Sequence, residues 1–188
     1  REHIVNDLTG VGKVGHLGGS CSSAEIVAAL YFHKMKHDPK NPALPSRDRF
    51  LLSKGHAALG LYAVLAHYGY FPVEELKTFG AFQSRLGCHP DRFKVPGAEA
   101  STGSLGHGIA LAVGMALAER MLAARIDTGK GFSPVDHRTF VFCGDGDLME
   151  GLSHEACSLA GHLALERLVL FFDSNDITIE GRTELSCS

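Results

Sequence analysis

Thr139-Phe140-Val141-Phe142-Cys143 runs directly into Gly144-Asp145-Gly146, and Leu168-Val169-Leu170-Phe171-Phe172 runs into Asp173-Ser174-Asn175-Asp176-Ile177. Both apolar runs read as buried strands. The stretch from Asp147 to His162 between them has the length of a helix. Strand, helix and strand make a right-handed βαβ unit, whose strands end on the same edge of the sheet. If the two strands are neighbours, their ends lie about 5 Å apart. Asp145 and Asn175 then converge beside the start of a helix. Hard oxygen ligands suit Mg²⁺ or Ca²⁺, and the free N–H groups of a helix start suit phosphate. The pair predicts a metal–diphosphate site. Taken singly, both are also ordinary turn residues.

Outward from this unit the pattern repeats. Asp48 to Ser53 reads as a strand that ends at Lys54-Gly55-His56, and Ala57 to Tyr68 as a helix stopped by Gly69. Ser22 and Glu25 have capping-box spacing, which predicts a helix with Ile26, Ala29, Leu30 and His33 on one face. Asp38 to Pro45 is a proline-rich loop. Pro72 to Leu76 starts a further helix, Ser84 to Leu105 is mostly irregular, and Ile109 to Arg125 is a strong helix. Thr128 to His137 is a polar excursion. Alternating strands and helices predict an α/β fold with a mainly parallel sheet and helices on both faces. Ligands of such sheets bind at the carboxyl ends of the strands, where His56, Asp145 and Asn175 fall.

Composition narrows the class. The 188 residues are 45% hydrophobic, with a net charge of −3 and no basic run, so nucleic-acid binding has no support. The longest apolar stretch, Ile109 to Ala118, is too short to span a bilayer. Five cysteines without CxxC spacing suggest reduced thiols in the cytoplasm. The chain opens without Met and stops just after the second strand-end loop, which suggests one domain, 1–188, of a longer polypeptide.

Four histidines sit beside glycines: Gly15-His16-Leu17-Gly18-Gly19, Gly55-His56, Gly87-Cys88-His89-Pro90 and Gly106-His107-Gly108. Such residues accept protons or, when charged, bind phosphate and developing oxyanions. No two have zinc-ligand spacing. Gly103-Ser104-Leu105-Gly106 would let backbone approach a flat ligand. It lacks the strand and the acidic residue of a dinucleotide motif. Glu150 follows Gly146 among apolar neighbours, so an interface or buried role is expected.

In combination these segments resemble the N-terminal, diphosphate-binding domain of transketolases. Thiamine-diphosphate enzymes share a motif that begins Gly-Asp-Gly and ends with Asn, here Gly144 to Asn175. More specific are Gly15 to Gly19, Ser53 to His56, Gly87 to Asp91, Ser101 to Gly106 and Gly144 to Gly151, in transketolase order. The resemblance implies a thiamine-diphosphate-binding fold and ketol transfer between sugar phosphates, with thiamine diphosphate and Mg²⁺ (Ca²⁺ or Mn²⁺ as substitutes). It implies that Asp145 and Asn175 bind the metal by side chain and Ile177 by its carbonyl. Gly146 and His56 would face the diphosphate. His16, His56 and His89 would be catalytic, His16 and His89 binding sugar hydroxyls and assisting proton transfer and His56 bordering the substrate channel. Gly103, Ser104, Leu105 and Ile177 would hold the cofactor rings, and Glu150 would join a network at a dimer interface.

The same resemblance implies a partner. A glutamate from a pyrimidine-binding domain or subunit activates the cofactor in this family, and no segment here matches that domain. The chain alone is therefore expected to be inactive, working within a homodimer or, in split enzymes, a heterotetramer. Ser104, where transketolases commonly carry Pro, leans toward the split type. Deoxyxylulose-phosphate synthase is the near rival; it typically has Trp-Asp-x-Gly-His-Gln where this chain has Ser53-Lys54-Gly55-His56. A non-catalytic, cofactor-binding assembly subunit is the other alternative.

Overall fold

The computed structural model describes residues 1–8, 15–126, 129, 135–179 and 181–186. Most of the Thr128–His137 excursion lies outside them. The elements that position the site are α1 (Leu17–Ala29), β1 (Arg49–Leu52), α2 (Ala58–Tyr68), α3 (His107–Ile126), β2 (Thr139–Gly144), α4 (Asp145–Leu148), α5 (Gly151–His162) and β3 (Leu168–Asp173). A small antiparallel pair, β4 (Ile177–Thr178) and β5 (Gly181–Arg182), follows.

The three long strands pair in the order β1-β2-β3, all parallel. Arg49 lies opposite Thr139, and Gly144 opposite Asp173. The two strands of the βαβ unit are thus neighbours, and their ends share one edge of the sheet. The outer edge of β3 has no strand partner among the described residues.

Period-two alternation sorts the strand side chains into two cores. Phe50, Leu52, Phe140 and Phe142 face α1 and α2. Leu51, Val141 and Cys143 face α3 and α5. Helices therefore cover both faces of a parallel sheet, as the α/β reading predicted. Every residue of α2 from Ala58 to Ala66 is buried, the pattern of a core helix rather than a surface one. It ends at Gly69, whose φ of 100° supplies the left-handed cap.

Some helix readings need correction. α1 begins at Leu17, so Ser22 lies inside it and does not cap it. The Ser22 hydroxyl lies 3.0 Å from the Gly19 carbonyl and 2.8 Å from Asp173, with both as acceptors. The buried face is Ser20, Ser23, Val27 and Leu30, not the face through Ile26 and His33. The segment Pro72–Leu76 opens only a short 3₁₀ stretch, Val73–Thr78. The helix expected over 147–162 is broken in two, with Met149 and Glu150 between α4 and α5.

Candidate active site

β2 ends at Gly144, and Asp145 and Gly146 open α4. Asn175 stands just beyond β3. Its backbone N–H donates to the Asp145 carboxylate at 3.0 Å, and the Ile177 N–H donates to Asn175 Oδ1 at 3.2 Å. Asp145, Asn175 and Ile177 are thus brought together. A carboxylate retains acceptor capacity after one such bond. One carboxylate and one amide oxygen are hard donors, a set that fits Mg²⁺ if the remaining oxygens come from phosphate, carbonyl and water. Among the described residues no three His, Cys, Asp or Glu side chains form a metal-holding group, so an all-protein cage does not fit.

His16 precedes α1, and His56 lies in the 3₁₀ turn Gly55–Ala57 that follows β1. His89 lies in the loop after Gly87. The His16 and His56 ring centroids are 5.3 Å apart, and those of His16 and His89 6.4 Å. Three loops far apart in sequence thus deliver three imidazoles to one place. The buried Tyr62 hydroxyl holds the His89 loop, within reach of the Gly87 and His89 carbonyls at 2.9 and 3.0 Å. Gly103 packs directly against the His89 ring: a Cβ there would lie 2.8 Å from it. The fourth histidine, His107, is not part of the cluster and does not lie in a loop. It is the exposed first residue of α3.

Burial lowers the pKa of His56 to about 4, assisted by Lys54, His16 and His89 and opposed by Asp147. Burial, then His16, lowers that of His89. His56 is therefore a neutral acceptor at pH 7. His137, at the foot of β2, is likewise lowered to about 4, chiefly by burial. Below about pH 6.5 the unfolded chain takes up protons at both histidines that the folded chain refuses. Stability is therefore full above that pH and declines as pH falls toward 4. The expected result is that His56→Gln with His137→Gln flattens the dependence of the melting midpoint on pH between about 6.5 and 4.5.

Leu105 packs on Gly146: a Cβ there would meet Leu105 Cδ1 at 3.1 Å. Ser104 is exposed just before α3. Glu150 is exposed in this chain, not helical, and caps α5 with extended backbone. Its Cβ would lie 2.9 Å from a Cβ on Gly106.

Two residues at this edge escaped the sequence reading. Asp147 is 1% exposed. It accepts from the Ser53 hydroxyl at 2.6 Å, the Gly106 N–H at 3.0 Å and the Gly144 N–H at 3.0 Å. It thereby binds the end of β1, the glycine loop before α3 and the end of β2 to one carboxylate. The signal was present: Gly144 to Asp147 has the N-cap-to-N3 spacing at which a side chain reaches back to the cap N–H. The other is Lys54, buried at the end of β1. No local pattern announces a buried lysine.

The family model described as "Transketolase, thiamine diphosphate binding domain" matches residues 3–188. Transketolase 2 of Xanthobacter flavus is 53% identical over 173 residues, which is 92% of this chain and 25% of that protein. Transketolase 1 of Escherichia coli is 47% identical, over 92% of this chain and 26% of its own length. The structure of transketolase from Leishmania mexicana superposes with a TM-score of 0.94 at 46% identity, covering 99% of this chain and 28% of that one. The chain spans about a quarter of the length of the relatives it matches. With its parallel sheet, its Gly144–Asn175 unit and its histidine cluster, it belongs to the transketolase family, as the thiamine diphosphate-binding domain.

Proposed function

We propose that this chain is the diphosphate-binding domain, 1–188, of an enzyme that transfers a two-carbon ketol unit between sugar phosphates with thiamine diphosphate and Mg²⁺. The observation that carries the reading is the convergence of His16, His56 and His89 at the sheet edge that also bears Asp145 and Asn175. Diphosphate binding alone gives no use for three imidazoles. Asp145 and Asn175 would hold Mg²⁺ by side chain and Ile177 by its carbonyl, with Ca²⁺ or Mn²⁺ as substitutes. The Gly146 N–H, at the start of α4, would meet the diphosphate. Gly103, Ser104, Leu105 and Ile177 would flank the cofactor's rings, and Glu150 would serve an interface to a second protomer. When bound, thiamine diphosphate supplies the electron sink for carbon–carbon cleavage.

The chain's own residues orient the sugar and manage its protons. His56, neutral at pH 7, can take a proton at a ring nitrogen as a substrate hydroxyl becomes a carbonyl. His16 and His89 can hydrogen-bond neighbouring hydroxyls and fix the sugar's angle of approach. The pyrimidine-binding half would come from another domain or subunit, in a homodimer or heterotetramer. We place the enzyme in the cytoplasm on the lack of CxxC spacing among its five cysteines, and in sugar-phosphate metabolism of the pentose phosphate type on the proposed ketol transfer. No described helix is long and apolar enough to cross a membrane.

Calorimetry on the full-length polypeptide tests the reading. Asp145→Ala is expected to weaken Mg²⁺-dependent thiamine diphosphate binding about 100-fold or more, the scale of losing a charged ligand, and to abolish cleavage of a ketose phosphate. Unchanged cofactor affinity in that variant would refute the metal assignment.

A further inference from the structure

β1 runs into a lysine that does not reach solvent. Lys54 is 2% exposed, and its ammonium group pairs with Asp173, the last residue of β3, whose side chain is 16% exposed. Ser22 of α1 donates to the same Asp173 oxygen at 2.8 Å and lies 3.5 Å from the Lys54 ammonium. The ammonium also sits 5.0 Å from the centroid of the Phe142 ring on β2. Four elements thus meet at one buried ion pair. Stability does not account for it. Desolvating two charges costs several kcal/mol, and an apolar pair of similar volume often serves as well.

The side chain of Asn175, two residues on, also bears on the Asp173 carboxylate. An amide has a donor end and an acceptor end. An NH₂ turned toward the Asp173 carboxylate leaves Oδ1 on the other side, where the Ile177 N–H meets it at 3.2 Å. A flipped amide would offer hydrogens where a cation needs an oxygen. Asp173 can hold the NH₂ only while its own position is fixed, and Lys54 and Ser22 fix it.

We propose that Lys54, Ser22 and Asp173 form a positioning relay that sets the Asn175 amide with its oxygen toward the metal–diphosphate. Lys54 is then a positioning residue for cofactor binding, acting through Asp173 and Asn175 from the turn after β1, which carries no proposed metal ligand. The relay rests on the reading of Asp145 and Asn175 as the metal pair.

The test is Mg²⁺ affinity in the full-length polypeptide at saturating thiamine diphosphate, by calorimetry, beside the melting midpoint. Lys54→Met with Asp173→Leu removes both charges together and leaves neither stranded. That double variant is expected to melt near the wild type yet bind Mg²⁺ about 10–100-fold more weakly, as other losses behind a ligand do. Asn175→Asp supplies a symmetric carboxylate that needs no orientation. In that background the same double substitution is expected to cost about 3-fold at most. A purely structural role would cost the same in both backgrounds. If the double variant does not fold, Ser22→Ala decides. It removes one exposed hydroxyl and is expected to weaken Mg²⁺ about 3-fold beside the native Asn175 but not in the Asn175→Asp background. Wild-type affinity in the folded double variant, equal losses in the two backgrounds, or no effect of Ser22→Ala where it must decide overturns the relay. Asp145→Ala separates the two failures. If it too leaves Mg²⁺ binding intact, the metal reading falls; if it abolishes binding while the relay variants do not, the relay alone falls.

Discussion

Asp147→Ala is expected to destabilise the fold by about 3–5 kcal/mol, the scale seen when a buried charged network loses its centre. The order of magnitude agrees with its partners. The Ser53 hydroxyl and the Gly106 and Gly144 N–H groups all donate to this carboxylate. Each buried donor left without an acceptor costs about 1–3 kcal/mol. Its effect on the site exceeds its effect on the core. Gly106 leads into α3 behind the Gly103-Ser104-Leu105 loop, Ser53 leads into His56, and Gly144 leads into Asp145. All three lose a common anchor. Amide hydrogen exchange at Gly106 and Gly144 should accelerate together, and cofactor affinity should fall although Asp147 is no proposed ligand. Asp147→Asn keeps one acceptor oxygen but turns an NH₂ toward a donor, so an intermediate loss is expected. A wild-type melting midpoint in Asp147→Ala would show that water replaces the carboxylate at little cost.

Gly108→Ala is expected to be nearly as severe, at or above the ~3 kcal/mol that marks the upper end for one excess methyl in a packed core. A Cβ at Gly108 would lie 2.4 Å from the Ser53 Cα. The opposing atom is backbone, so no rotamer change relieves the clash. Gly55 is the companion case: its Cβ would lie 2.6 Å from the Gly103 nitrogen and the Thr102 carbonyl carbon. Here the demand is close approach rather than unusual φ. The start of α3 and the glycine loop lie directly on the end of β1, where the Thr102 hydroxyl also donates to the Leu52 carbonyl at 2.6 Å. In Gly55→Ala, His56 and Gly103 must separate, so loss of cofactor affinity should exceed loss of stability. Gly114 has nothing within 4 Å of a Cβ and lies within α3. Gly114→Ala should therefore be neutral or stabilising by about 0.5–1 kcal/mol, which makes it the control.

How much of this was legible in the sequence depends on whether a residue acts through local pattern or through distant packing. β2 and β3 were legible because their apolar runs are bounded by strand-end turn residues, and the parallel pairing followed from the βαβ rule. His16, His56 and His89 were legible as histidines in glycine-containing segments, but their meeting was not, because it depends on how three segments far apart in sequence pack. The start of α1 was misread. Ser22 and Glu25 have cap spacing, whereas the real first turn contains Gly18 and Gly19, poor helix formers. Packing against α2 overrides that weakness: α1 and α2 approach so closely that a Cβ on Gly60 would lie 2.9 Å from the Ser20 carbonyl oxygen. Lys54 was invisible because nothing in Leu52-Ser53-Lys54-Gly55 tells a buried lysine from a solvated one. Its partners lie on α1 and β3.

The outer edge of β3 carries a further consequence, for handling the chain rather than for its chemistry. Leu168-Val169-Leu170-Phe171-Phe172 holds no lysine, proline or glycine, and its first charge is Asp173 at the very end. Open strand edges of soluble proteins are usually guarded by such residues or by a bulge. A short, uncharged, β-prone segment with free ladder groups is the signature of a template for cross-β growth. Among the described residues this edge has no guard of its own. Such an edge is expected to be the part of this chain most prone to pair with its own copies.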